Sequence, residues 1–131
     1  MGPGANELIL LIEGDPLLGW TRLALLERQF EAVCRVGTAA EALCLIEQPA
    51  FASRLCLVIS SHTKSDNDGP AFVAELVSRM PEVPVLVLGD VLDGSDSYQG
   101  EKVTYLPGPY VSEQICSKAK QMLRGAQSLT A

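Results

Sequence analysis

Leu57-Val-Ile-Ser-Ser-His-Thr-Lys-Ser-Asp-Asn-Asp-Gly69 carries an apolar run into a polar loop that ends on Asp-Gly. The run begins at Leu55 and is continuous to Ile59, not alternating. Strands buried on both faces read this way, as in a parallel sheet covered by helices. Asp68-Gly69-Pro70 then opens a helix, with Phe72, Val73, Leu76, Val77 and Met80 turned inward.

The same grammar repeats on either side. Leu8–Ile12 and Val85–Leu88 are two further continuous apolar runs, and Phe30–Val36 and Val103–Leu106 are two weaker ones. Helical segments fall between them. Asp15-Pro16 starts the first: the aspartate caps free amides and proline suits the first helical position. Leu17, Trp20, Leu23, Ala24 and Leu26 then form one apolar stripe, which makes Trp20 a helix–sheet packing residue. Thr38-Ala-Ala-Glu41 fits a capping box and opens a helix with Leu43, Cys44 and Ile46. Ser112 caps the last helix, with Ile115, Ala119 and Met122 on its buried side. Strands alternating with helices throughout indicate a βα-repeat with right-handed crossovers. Between the last two strands, Gly89–Gly100 holds three glycines and several Asp and Ser residues, so the fourth helix of the repeat is expected to be short or irregular.

Bulk properties narrow the function. At 131 residues the chain is read as one domain, with a core over about residues 7–124 and a frayed tail over 125–131. Apolar residues make up 47%, which suits a globular core. A net charge of −6 disfavours nucleic acid as a partner. No apolar run approaches membrane-spanning length, and the N-terminus has no secretory pattern. Cys34, Cys44, Cys56 and Cys116 are dispersed, without a C-x-x-C pair, and read as reduced thiols of a cytoplasmic protein.

Several stretches together resemble the receiver domain of bacterial response regulators (CheY-like). Leu10-Leu-Ile-Glu-Gly-Asp-Pro-Leu-Leu18 is similar to that family's opening strand and acidic turn, and Val33-Cys-Arg-Val-Gly-Thr-Ala-Ala-Glu-Ala-Leu43 to its second strand and helix. Pro84-Val-Leu-Val-Leu-Gly89 and Val103-Thr-Tyr-Leu-Pro-Gly-Pro-Tyr110 resemble its fourth and fifth strands. The resemblance implies an α/β, flavodoxin-like (βα)5 fold: a doubly wound parallel sheet of order 2-1-3-4-5. In such a sheet the functional edge lies beyond the carboxyl ends of the first and third strands, here Glu13 to Asp15 and Ser60 to His62.

The departures from the family fall on its chemistry. The family's phosphate-accepting aspartate stands eight residues before the glycine of the loop, and that position is Ser61. The paired metal-binding acids become Glu13 and Gly14, the hydroxyl residue ending the fourth strand becomes Gly89, and the phosphate-pairing lysine becomes Gly108. The switch aromatic of the fifth strand is kept as Tyr105. An unactivated serine is a poor nucleophile, and Glu13 alone is a thin Mg²⁺ site. The reading is therefore a degenerate pocket of Glu13, Gly14, Ser61, Gly89 and Gly108, with no catalytic residue, no metal and no cofactor.

Other pairings have bland explanations. Ser61 and His62 are adjacent, so their side chains point to opposite faces and do not form a nucleophile–base pair. Asp15 is a helix cap and Asp90 a loop residue, rather than cation ligands beside Glu13. Asp66 and Asp68 form a turn and cap, not a calcium loop.

The resemblance implies a stand-alone pseudo-receiver in two-component or phosphorelay signal transduction. It is expected to be no enzyme and to act by protein–protein contact without aspartyl phosphorylation. Expected partners are a histidine kinase, another regulator or a second copy of the chain. The expected contact surface is the side formed by the fourth helix, fifth strand and last helix. The alternatives are a receiver-like module gated by a small molecule or nucleotide in the vacated pocket, and, behind it, a small flavodoxin-like enzyme.

Overall fold

The computed structural model describes residues 8–61, 69–89, 101–106 and 112–130, with the side chains of the last segment described over 113–124. Five strands form one parallel sheet of order β2-β1-β3-β4-β5: β1 (Leu8–Ile12), β2 (Val33–Val36), β3 (Leu55–Ser61), β4 (Val85–Leu88) and β5 (Val103–Leu106). The helices are α1 (Pro16–Glu27), α2 (Ala39–Ile46), α3 (Pro49–Ala52), α4 (Gly69–Arg79) and α5 (Ser112–Thr130). This is the doubly wound, flavodoxin-like arrangement that the resemblance implies. The expected irregular helix between β4 and β5 falls on 90–100, outside the described residues.

Two apolar layers flank the sheet. Leu8, Leu10, Ile12, Val58, Val85 and Val87 meet Ala42, Ile46, Phe72, Val73 and Leu76 from α2 and α4 on one side. Ile9, Leu11, Leu57, Ile59, Leu86 and Leu88 meet Leu26 of α1 and Ile115, Cys116, Ala119 and Leu123 of α5 on the other. Both faces of β1 and β4 are thus covered, which is why their sequences are unbroken apolar runs. Alternation then sends Glu13, two residues past Leu11, and Ser61, two past Ile59, to the α1 side of the sheet.

The caps form as their residues dictate. Asp15 accepts hydrogen bonds from the amides of Leu17 (2.9 Å) and Leu18 (3.1 Å), with Pro16 next in the first turn. Thr38 Oγ1 accepts from the Glu41 amide at 3.1 Å, while Glu41 reaches back to the Gly37 amide at 3.2 Å. That is a capping box displaced by one residue.

The first helix corrects the sequence reading. Leu17, Trp20 and Ala24 do form a stripe, but it faces outward: Leu17 is 76% exposed and Trp20 67%. Leu23 and Leu26 of the expected stripe do face inward, and Gly19 and Arg22 share that face with them. Trp20 is therefore not a helix–sheet packing residue. The physical reason is close approach: Gly19, with no side chain, lets the helix rest on β2, and that fixes its rotation. One smaller difference follows. A short α3 with Pro49 in its first turn stands where no helix was expected. The four cysteines are not joined in disulfides; Cys44 is exposed and Cys116 is the buried one of the four.

Candidate functional site

The site lies where β1 and β3 end. Ser61 closes β3 on the α1 side, and Glu13 follows β1 directly. Glu13 is buried, and its carboxylate forms an ion pair with Arg22, which projects inward from the middle of α1. The same Nη1 of Arg22 donates to Ser61 Oγ at 3.3 Å. One guanidinium thus ties the first strand to the third across the switch point of the sheet. The second carboxylate oxygen of Glu13 accepts the Asp15 amide at 3.0 Å. Side-chain exposure is 11% for Arg22 and 6% for Glu13, so the pair is shielded from water. Burying either charge alone would be costly; together, with the amide and the serine, they are satisfied.

A second arginine holds the backbone of the same turn. Arg35 of β2 donates from Nη2 to the Glu13 carbonyl at 2.8 Å. Its guanidinium lies flat under α1, where a Cβ on Gly19 would stand 2.7 Å from Arg35 Cζ. Among the described residues Arg35 Nε is buried without a hydrogen-bond partner, the cost of that close packing. Gly14 is confined too: a Cβ there would come within 3.3 Å of the Gly37 carbonyl oxygen.

On the opposite face of the sheet edge, Tyr105 fills the space over Gly89. The two strands pair Val87 with Tyr105, and the Gly89 amide donates to the Leu106 carbonyl at 2.9 Å. A Cβ at Gly89 would overlap the phenol ring and its oxygen. The glycine and the inward tyrosine are a matched pair: the ring sits where a larger residue's side chain would be.

Of the residues singled out from sequence, Glu13 and Ser61 are brought together by Arg22, Gly89 and Tyr105 by direct packing, and Gly14 lies beside Glu13 in the turn. Gly108, His62, Asp66, Asp68 and Asp90 lie outside the described residues. Arg22, Arg35 and Gly19 were not anticipated. The signal was present: Gly19, Arg22, Leu23 and Leu26 hold helical spacing, with a charge in an otherwise small or apolar stripe.

Among the described residues the donors at this edge are already engaged by other groups. Mg²⁺ wants near-octahedral oxygen ligands, typically with one or two carboxylates. Here the Glu13 carboxylate is committed to Arg22 and the Asp15 amide, and the Asp15 carboxylate faces the amides of α1. Among the described residues no group of three His, Cys, Asp or Glu side chains is placed to hold a metal. No helix of the described residues is long and apolar enough to cross a membrane.

A second feature adjoins the site. Leu17, Leu18 (43% exposed) and Trp20 present apolar surface on the outer side of α1, one helical turn from Arg22. Exposed apolar groups clustered in this way mark contact surfaces more often than isolated ones do.

No family model matches the chain, and no curated protein does. Solved structures match it closely in fold. A response regulator receiver protein from Sinorhizobium medicae superposes with a TM-score of 0.76 at 17% identity, over 91% of this chain and 95% of that one. The signal receiver domain of an HD domain-containing protein from Pseudomonas fluorescens gives 0.76 at 21%, over 93% and 98%. A structure named as an adenylate cyclase from Rhodopirellula baltica gives 0.75 at 18%, over 95% and 93%. The chain has the fold of these receiver domains.

Proposed function

We propose that the chain is a pseudo-receiver: a cytoplasmic module of bacterial two-component signalling that works by binding another protein, without aspartyl phosphorylation and without chemistry of its own. One observation carries this reading. Where phosphotransfer would need a free carboxylate and a metal, Ser61 and Glu13 are joined by the guanidinium of Arg22. The described partner of the serine is a cation, which does not raise its nucleophilicity as a base would.

Two further observations support it. The phenol of Tyr105 stands over Gly89, which takes up room that a small-molecule ligand would need at that face. The outward Leu17, Leu18 and Trp20 supply an apolar surface suited to a protein contact. That surface differs from the one expected from sequence. A histidine kinase or another regulator is the partner class this reading implies.

Intact mass after incubation with acetyl phosphate and Mg²⁺ tests the reading. An unchanged mass is expected; a labile phosphate adduct on the wild-type chain would defeat it. Capture from the native host, with and without Leu17→Ser and Trp20→Ser, then tests the contact surface.

A further inference from the structure

We infer that Arg22 is a built-in cation, which holds the position a divalent ion would need at the carboxyl edge of this sheet and keeps such an ion out. The inference rests on the reading above, and deepens it by naming the residue that makes the site insensitive to metal.

The geometry is specific. A metal at this edge would have to draw on the ends of β1 and β3, and both are engaged by one nitrogen, Arg22 Nη1. The Glu13 carboxylate already has the Arg22 guanidinium as its counter-charge, so an entering dication would have to compete with that cation for it. Arg35 adds a second positive group within reach of the same turn, at the Glu13 carbonyl. Expulsion of Arg22 is resisted by its burial: it projects inward beside Gly19 and Leu26, and its side chain is only 11% exposed. A chelator or a change of pH near neutrality would leave this cation in place, unlike a bound ion.

The consequence is counter-intuitive. Restoring an acid at position 61 should not by itself restore a metal site, because the new carboxylate would pair with Arg22. Removing the arginine is required as well.

The test compares the wild type, Ser61→Asp, and the double variant Ser61→Asp/Arg22→Gln. Mg²⁺ is titrated while the amide resonances of residues 13–15 and the melting temperature are followed. The wild type and Ser61→Asp are expected to show no saturable shift. The double variant is expected to bind Mg²⁺ at least about tenfold more tightly than Ser61→Asp, a factor equal to roughly 1.4 kcal/mol, and to melt higher as Mg²⁺ is added. Saturable binding to Ser61→Asp as tight as to the double variant overturns the inference. So does a folded double variant without a Mg²⁺ response. Recovery of the circular dichroism of an unfolded double variant on adding Mg²⁺ supports it. If the double variant stays unfolded throughout, Ser61→Asp decides: binding with Arg22 in place overturns the proposal, and no binding supports it. The mass experiment on the wild type is separate, so loss of the functional reading and loss of this inference give different results.

Discussion

Arg22 illustrates how the environment of a residue sets the effect of removing it. Its partner Glu13 is buried, so Arg22→Met would leave a carboxylate without its counter-charge. That substitution is expected to lower stability by about 3–5 kcal/mol in urea titrations. Glu13→Gln/Arg22→Met together should cost less than the sum of the single changes, because neither charge is then stranded. Gly89 makes a similar argument with volume in place of charge. Gly89→Ala places a methyl group in the Tyr105 phenol and should cost about 1–3 kcal/mol. In a Tyr105→Ala background the same change should cost clearly less, since the obstruction is gone. Equal penalties in both backgrounds would mean that the ring and the glycine are not coupled.

At the level of the element, α1 carries both the site and the adjoining apolar surface, on opposite sides of one cylinder. Trp20→Ser should leave stability within about 0.5 kcal/mol of wild type, since the ring is largely in water, while a protein partner captured by the wild-type chain is lost. A large fall in the melting temperature would instead show that the ring packs. The sequence disclosed this helix well at its start and poorly in its rotation. Asp15 and Pro16 mark the cap because their chemistry is local. Leu17, Trp20, Leu23, Ala24 and Leu26 suggest a stripe, but the apolar residues of α1 spread around the helix, and periodicity does not say which arc meets the sheet. That is decided by Gly19 against Arg35, a contact between elements sixteen positions apart. The strands were legible for the opposite reason: burial on both faces leaves an unbroken apolar run that needs no partner to be read. The resemblance to receiver domains implies Ser61 as the position of the family's acid, whereas the link of Ser61 to Arg22 exists only once α1 is docked.

For the whole molecule, the thiols report how the layers protect their contents. Burial pushes the Cys34 thiol above its ordinary value of 9.0. Burial also raises Cys116, partly offset by the nearby Lys120. The unfolded chain therefore ionises these groups first. Their contribution to stability is complete below pH 9.0 and is lost as pH rises through the folded values. Denaturation midpoints should fall on going from neutral to strongly alkaline buffer, and by less in Cys34→Ala/Cys116→Ala. Labelling with a thiol reagent at neutral pH should reach exposed Cys44 before Cys116; the reverse order would contradict the layer assignment.

The span from Arg22 to Ser61 closes a loop of 39 positions and needs β1, β3 and α1 assembled together. A clasp of this span is expected to fasten after the chain has crossed its main barrier. It should therefore act as a brake on unfolding: replacing Arg22 is expected to steepen the escape rate from the native state while barely changing the rate of entry. In stopped-flow chevrons the unfolding limb would rise and the refolding limb would stay in place. The arginine that bridges this edge would then also set how long each molecule lasts before it opens.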